Sequence, residues 1–417
     1  MRVYDIAIIG AGPAGSVAAY AASRLGLDNI IIEKSFKGRD KYCGGGVSFG
    51  ALEFLIRNVS KEILETADMY ADGYVAISPK GRILCVSLRD LAGILVRRNV
   101  FDKKLMEIAE SSGSRLIEGT FIKSLKKENE AISLISSNGE EFKAEYVILA
   151  TGMTDILSLQ IGLPRFKIDQ IGHCWGTESL FPTSNYFNLW YMNFGLYRPI
   201  FLIFGPIKQG YGWIFPKAGY VNIGIGTTLK ESKNHSAVFN GLIAEAYRLK
   251  IFDKPYSFKV DRAWQIPFGN VPRDKTYSIE FKTLAVGDVA GFVHPVTGEG
   301  IYGAVVSGWI AANIIKDAID RNSPERLELY EHAWKNSFGK DMFDYGKKLA
   351  KLLYSSQTIL ELGLRGLMED EKAVDLLTRL LAHSEPDINR KMYEYMIKHL
   401  PALAVKSLKA REKVLYV

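Results

Sequence analysis

The spacing of apolar and polar positions changes character several times along the chain. Val3 to Ile9 (VYDIAII) is an apolar run broken by Asp5 and closed by Gly10, the pattern of a central parallel strand covered on both faces. Ser16 to Leu25 follows with Ala and other small residues at helical spacing, and Asn29 to Ile32 is a second short strand ending at Glu33. Together they predict an opening strand–helix–strand unit. Asp40 to Gly50 is a glycine-rich loop, and a helix starts at about Ala51 to Phe54. YVAIS and RILCVSL, separated by Pro79-Lys80-Gly81, are short strands, and Arg98 to Ser111 is an amphipathic helix with Phe101, Leu105, Ile108 and Ala109 on one side. Arg115 to Ser136 and Glu141 to Leu149 are again strands, the second ending at Thr151-Gly152.

Between about Gly172 and Phe268 aromatic and β-branched residues dominate, with frequent Gly and Pro, which predicts a mostly antiparallel sheet. Within it, Tyr186 to Ile207 is long enough to span a bilayer. Arg198, Gly195, Pro199 and Pro206 make strands and turns the better reading. A short strand returns at Thr283 to Val286, Ile301 to Ile315 is a buried helix too short to cross a membrane, and beyond Asn322 the pattern is helical. Helical runs there include Lys347 to Tyr354, Lys372 to Leu381 and Lys391 to Leu400. The expected fold class is α/β with an α+β second domain. A discontinuous nucleotide-binding domain (1–68, 98–171, 277–321) is interleaved with an antiparallel-sheet domain (69–97, 172–276), and helices occupy 322–417.

Composition narrows the partners. The chain is 47% hydrophobic and 24% charged, which excludes a disordered chain. A net charge of +7 is a mild excess that suits anionic surfaces, and no dense Arg/Lys stripe interleaved with aromatics points to nucleic acid. Cys43, Cys85 and Cys174 lie too far apart for a CxxC pair or a zinc knuckle, and the histidines are scattered, so no metal is expected. The first residues run straight into a strand without a signal sequence, so the expected location is the cytoplasm.

Gly10-Ala11-Gly12-Pro13-Ala14-Gly15 ends a strand and opens a helix. Gly10 permits the tight turn, Gly12 lets a pyrophosphate approach the backbone, and Gly15 lets helix and strand pack closely. The phosphates meet unpaired N–H groups at the positive helix end. Glu33, 23 residues after Gly10, is placed to accept from ribose hydroxyls, with Lys34 beside it. A distant second element, LAVGDVAGFVHPVTGEGIYG (Leu284 to Gly303), puts Asp288 at a strand end to reach a ribityl chain. Gly298 and Gly300 offer backbone amides near a flavin ring, and Ile301 opens a helix aimed at it. NAD alone does not need this element, so the expected cofactor is FAD. No second GxGxxG follows Gly152, so the electrons come from NAD(P)H docking without its own domain, or from a protein such as ferredoxin.

These features resemble the p-hydroxybenzoate hydroxylase fold group of flavoproteins. Three segments are similar to its geranylgeranyl reductase family, particularly the archaeal members. They are Lys41-Tyr42-Cys43-Gly44-Gly45-Gly46-Val47-Ser48, Arg98-Asn99-Val100-Phe101-Asp102-Lys103-Lys104-Leu105, and Tyr211-Gly212-Trp213-Ile214-Phe215-Pro216-Lys217 leading to Asn222-Ile223-Gly224-Ile225-Gly226. In the first, Tyr42 stands where the family has proline, and Gly45 or Gly46 where it has an acid. The resemblance covers roughly residues 3 to 315. It implies an oxidoreductase acting on CH–CH groups, which reduces isolated double bonds in geranylgeranyl chains of archaeal ether lipids or of a prenyl diphosphate. The route is alkene protonation and hydride transfer from N5 of the reduced flavin.

That chemistry needs a long apolar slot, and Phe187, Leu189, Trp190, Phe194, Leu196, Phe201, Leu202 and Phe204 are the expected lining. Tyr211, Trp213 and Phe215 offer aromatic faces to a developing cation. Tyr211 and Cys43 are alternative proton donors, with ordered water as a third. Cys43, Gly44 and Gly45 also border the cofactor. Arg98 contacts the pyrophosphate or ribose, or else forms a surface ion pair. Two other readings share the fold: a flavin monooxygenase or halogenase, since YxWxFP is faintly similar to WxWxIP, and a non-enzymatic escort of prenylated partners. A lipid substrate implies peripheral contact with an anionic membrane, with Met392 to Val417 the first segment to test.

Overall fold

The computed structural model describes residues 2–269, 271–409 and 415–416, with side-chain surroundings given as far as Ala402, Leu400 excepted. One sheet runs, edge to edge, Tyr277–Ser278, Thr283–Ala285, Glu141–Leu149, Val3–Ile9, Asn29–Ile32 and Arg115–Ile117. All neighbours are parallel except the first pair. Val3–Ile9 lies inside it, with Ile6, Ala7 and Ile8 fully buried, which is what its nearly unbroken apolar run requires. The region read as one strand from Arg115 to Ser136 is three: Arg115–Ile117, then a hairpin of Ile122–Glu128 and Ala131–Ser136 that continues onto Glu141–Leu149.

Helix Pro13–Arg24 covers this sheet and packs on helix Ile301–Asp320. The approach is so close that a Cβ on Gly308 would lie 2.2 Å from the Ala14 carbonyl oxygen. Backbone contact between these helices therefore ties the late Gly-Asp element to the opening glycine fingerprint, nearly 300 residues away in sequence.

The second sheet runs Arg262–Pro267, Ile171–Leu180, Tyr220–Thr228, Gly210–Lys217, Pro199–Ile203, Gly73–Ile77 and Ile83–Ser87. It is antiparallel except where Pro199–Ile203 pairs with Gly73–Ile77 and where the edge strand Leu415–Tyr416 pairs with Ile83–Ser87. Here the sequence expectation needs correction, because Tyr186 to Ile207 is not all strand and turn. Phe187–Phe194 is a helix, stopped by Gly195 at φ +69°, and only Pro199–Ile203 is strand. The helical signal was present in the spacing of Phe187, Trp190 and Phe194, but nearly every neighbouring position is also apolar or aromatic, which hides a 3.6-residue period. A second helix, His235–Arg248, also lies in the region expected to be sheet. It buries Phe239, Leu242, Ile243 and Ala246 on one side. Both helices cover one face of the sheet, in a core with Trp175, Phe201 and Phe252.

The C-terminal helices include Gly346–Leu353, Gln357–Met368, Glu371–Ala382 and Ile388–Lys409. Their Leu349, Leu360, Leu367, Leu380 and Met392 make a cluster of their own, with Phe204 of the second sheet packed against it. Among the described residues no helix is long and apolar enough to cross a membrane.

Candidate active site

Two connected cavities form where the two sheets meet. The first is a cleft over the ends of the parallel strands, bordered by Gly10, Gly12, Pro13, Ala14, Glu33, Lys34, Arg98, Gly152 and Asp288. Gly10 has φ +101°, and a Cβ there would lie 2.4 Å from the Ala150 carbonyl oxygen; one on Gly15 would lie 1.8 Å from Gly10 O. Only glycine satisfies either position. Gly12 begins the helix without any side-chain cap and Pro13 occupies its first turn, so the N–H groups behind them are free to meet an anion. Glu33 is only 3% exposed. Its Oε2 accepts from Ala11 N–H at 2.7 Å and its Oε1 from Ser35 N–H at 3.0 Å, which fixes the carboxylate at the strand end.

Three residues of this cleft carry no motif and were missed from sequence. Arg39 places Nη2 2.9 Å from where a Gly12 Cβ would be, so its guanidinium stands at the pyrophosphate position. Phe121 and Ile156, 39% and 47% exposed, are apolar walls of the cleft, suited to the faces of an adenine. An exposed aromatic immediately before strand Ile122–Glu128 has no sequence signature; only the fold gathers it here.

Arg98 is not in a surface ion pair. It is 4% exposed and grips Asp102 with two bonds, Nε to Oδ1 at 2.7 Å and Nη2 to Oδ2 at 2.8 Å. Arg39 Nη2 approaches the same carboxylate at 3.3 Å. Asp102 thus holds two guanidiniums at the cleft. The Cys43 sulfur accepts from Gly45 N–H at 3.4 Å.

The second cavity is a slot with mainly apolar walls. Pro13, Lys41, Arg98, Asp288 and Ala304 border both spaces, so the cleft opens into the slot. At the junction Lys41 Nζ pairs with Asp288 Oδ2 at 2.7 Å. One wall is the Lys41–Ser48 loop, laid flat on the second sheet. A Cβ on Gly44 would lie 2.7 Å from Phe215 Cε2, and one on Gly224 would lie 2.3 Å from both Trp213 and the Tyr42 hydroxyl. Tyr42 OH donates to Ile223 O at 2.9 Å, Trp213 Nε1 donates to Asn222 Oδ1 at 2.8 Å, and Asn222 Nδ2 donates to Cys43 O at 3.0 Å. Beneath them the fully buried Lys217 pairs with Glu178, which accepts from Asn222. The structure therefore brings Cys43, Gly44, Gly45, Trp213 and Phe215 together through one hydrogen-bonded platform.

Tyr211 also reaches the slot, but its hydroxyl donates to the Thr297 carbonyl, and burial pushes its pKa well above the ordinary value. It is a strut between the sheet and the Gly298 turn, and a poor acid. Gly298 (φ +69°) and Gly300 stand at the slot beside Ile301, with a Gly300 Cβ position 3.3 Å from Asp288 Oδ1.

The expected slot lining needs a larger correction. Of the eight residues proposed between Phe187 and Phe204, Leu202 and Phe204 line it. Trp190, Phe194, Leu196 and Phe201 are core on the opposite face, with Phe187 and Leu189 packed against that core. Alternation decides this: Ile200, Leu202 and Phe204 point to the slot, and Phe201 and Ile203 away from it. The remaining wall comes from the C-terminal helices, through Leu360, Leu364, Leu367, Leu377, Leu381 and Met392. Leucines at helical spacing read as ordinary helix core, so this role carries no signature in the spacing.

Glu299 is a further residue missed. It lines the slot between Gly298 and Gly300, and its Oε1 accepts from Tyr302 N–H at 2.8 Å. Burial, with a contribution from Asp288, pushes its carboxyl up to about 7.

A glycine-cradled dinucleotide cleft emptying into a slot under a second sheet defines an FAD-dependent oxidoreductase, and residues 5–164 match the family model of FAD dependent oxidoreductases. The chain is 31% identical over 391 residues to the digeranylgeranylglycerophospholipid reductase of Methanocaldococcus jannaschii, covering 90% of this chain and 93% of that one. The chain belongs to the geranylgeranyl reductase family, with the digeranylgeranylglycerophospholipid reductases as relatives. Among solved structures it is similar to a geranylgeranyl bacteriochlorophyll reductase-like protein from Thermoplasma acidophilum (TM-score 0.75, 23% identity, covering 97% and 100% of the two chains). It is also similar to the flavin-dependent brominase Bmp2 (TM-score 0.71, 15% identity, covering 96% and 100%); both likenesses are of fold. The cofactor is FAD, and the cradle at Gly10, Gly12 and Gly15, the Glu33 carboxylate and Asp288 fit it.

Proposed function

We propose that this chain reduces isolated C=C bonds in the geranylgeranyl chains of ether lipids. The observation that carries the reading is the continuity of the FAD cleft with an apolar slot that meets it at Lys41, Arg98 and Asp288. A prenyl chain has no polar handle, so burial of its apolar surface must supply its binding, at about 25 cal/mol per Å². Leu202, Phe204, Leu360 and Leu364 offer such surface from two different elements.

Bound FAD, once reduced, supplies the hydride. The protein's part is to align the alkene, exclude water and manage the proton and the transient positive charge. Trp213 and Phe215, fixed by Asn222 and Gly44, present aromatic faces to that charge. Because Tyr211 is committed to Thr297, it positions the Gly298 turn and is set aside as a proton donor. Electrons come from ferredoxin or NAD(P)H, and the lipid substrate implies peripheral contact with an anionic membrane. The side chains of most of Met392 to Val417 lie outside the described residues, so liposome flotation is the test of that segment.

The reading is tested by mixing dithionite-reduced protein anaerobically with geranylgeranyl lipid and weighing the product. A gain of two hydrogens per bond is expected. Oxygen insertion in air, with no anaerobic gain, would overturn it in favour of the monooxygenase or halogenase chemistry of its fold neighbours. Purified protein without flavin colour would instead point to an escort.

A further inference from the structure

Hydrogenating an alkene requires one proton as well as a hydride, and the slot must hold it out of bulk water. At the closed end of the Gly298 turn, two unpartnered polar atoms from different parts of the chain face each other. Glu299 Oε2 is buried with no hydrogen bond, and 3.7 Å away stands His383 Nε2, also buried with none. His383 terminates helix Glu371–Ala382 in a left-handed conformation, φ +50°, and is 7% exposed. Its ring stacks on Tyr302 at 5.4 Å and stands edge-on to His294 at 4.9 Å.

The surroundings fix the protonation logic. His294 Nδ1 accepts from the N–H groups of Val296 and Thr297, both at 3.2 Å, so its own proton is on Nε2 and is donated to Asn389 Oδ1 at 2.9 Å. Asn389 in turn donates to Asp341. Burial keeps His294 and His383 neutral by pushing both down, His294 to about 4. From the other elements, Asp288 (neutralised by Lys41), Tyr74 and Tyr302 are the titratable groups that sense the Glu299 carboxyl. Among the described residues no lysine or arginine pairs with it. A carboxyl so placed has every reason to keep a proton at neutral pH: no cation compensates its charge, and a like charge sits nearby. Oε1 is held by Tyr302 N–H, which leaves the acid hydrogen to Oε2, opposite a neutral imidazole nitrogen.

We propose that Glu299, backed by His383, is the group that holds the proton used in the reduction. The proposal rests on the reading of the function given above and names an acid that it lacks. In the step, the Glu299 O–H bond breaks and one alkene carbon gains the proton. The other carbon gains a hydrogen with two electrons from the reduced FAD, which is oxidised. Glu299 is left as a carboxylate and recovers its proton at Oε2, on the His383 side.

Infrared spectroscopy of the holoenzyme tests this without turnover. A protonated-carboxyl C=O band is expected to vanish with rising pH at a midpoint near 7, and to be absent in Glu299→Gln. In single turnovers, the wild-type rate should fall above that midpoint. Glu299→Gln should lose roughly 100-fold in rate, the low end of what a general acid contributes, together with that pH limb, and Glu299→Asp should restore a limb. The flavin spectrum of each variant reports that it is folded and loaded. A Glu299→Gln enzyme with wild-type rate and pH profile, or a wild-type protein with no such infrared band at pH 6, overturns the proposal. If wild-type protein leaves the lipid untouched, the functional reading falls instead, and the infrared titration still decides whether Glu299 carries a proton.

Discussion

Lys41 and Asp288, 247 residues apart, meet in a 2.7 Å ion pair at the place where the nucleotide cleft turns into the apolar slot. Lys41 begins the loop that lies on the second sheet, and Asp288 lies in the turn just past strand Thr283–Ala285 of the first, so this contact joins the two halves of the site. Both side chains are mostly buried. Lys41 also lies 5.6 Å from the ring centre of Trp264.

A buried charge that loses its partner is costlier than an uncharged pair of similar size. Asp288→Ala is therefore expected to cost about 1–3 kcal/mol of stability and to weaken FAD binding. Asp288→Leu combined with Lys41→Met should be more stable than either single change. Thermal unfolding of the flavin-free proteins, alongside FAD fluorescence titration, separates the two effects. Equal stability of the single and double variants would show that the pair is not coupled.

Arg39 and Gly10 predict opposite failures within the same cleft. Arg39→Ala removes a cation from the pyrophosphate position without disturbing packing. The FAD dissociation constant should rise about 10–100-fold, as expected for loss of one charge-assisted bond of about 1.5–3 kcal/mol. The remaining affinity should depend less on salt. Gly10→Ala instead drives a methyl against Ala150 O at φ +101°, so loss of soluble folded protein is expected. A soluble Gly10→Ala protein with normal FAD affinity contradicts this account of the turn.

Phe201 and Leu202 are chain neighbours on opposite faces of one strand, and their substitutions should separate stability from substrate binding. Phe201→Ala opens a hole in a closed core and is expected to cost about 3–5 kcal/mol in urea unfolding. Leu202→Ala enlarges a space that already exists. It should cost less than half as much and act mainly on KM for the lipid. The reverse ranking would place the slot on the wrong face of the sheet.

How far these residues could be read in advance depended on whether function was written in local chemistry. Gly10 and Gly15 are forced by backbone geometry, and Glu33 by its place at a strand end, so a six-residue motif and one spacing exposed the cleft. The parity of Pro199–Ile203 was not legible, because Phe201 and Leu202 are equally apolar and only the register against Gly73–Ile77 tells which face is covered. Leu360 and Leu364 had the spacing of any amphipathic helix. Arg39 and Glu299 are single polar residues in loops, and their meaning comes from what the fold sets opposite them: Gly12 for one, His383 for the other.

The carboxyl of Glu299 also predicts how stability changes with pH. Its ordinary value of 4.5 applies in the unfolded chain, whereas in the folded protein burial pushes it up to about 7. Between these values the unfolded state binds fewer protons, so stability falls as pH rises from about 4.5 to about 7 and is then constant. His294 acts on the acid side. Its folded value near 4 lies below its ordinary 6.5, so the stability it confers is present above 6.5 and is lost as pH falls toward 4. In Glu299→Gln the amide oxygen can still accept from Tyr302 N–H, but no ionisation remains. The variant should gain on the wild type as pH rises from 4.5 to 8, by up to about 3 kcal/mol, and the two should lose stability in parallel only below about pH 4.5, where the wild-type Glu299 is protonated in both states. Urea unfolding of both proteins across that range measures the difference directly. If their stabilities run parallel from pH 4.5 to 8, Glu299 is ionised throughout and is no store for a proton.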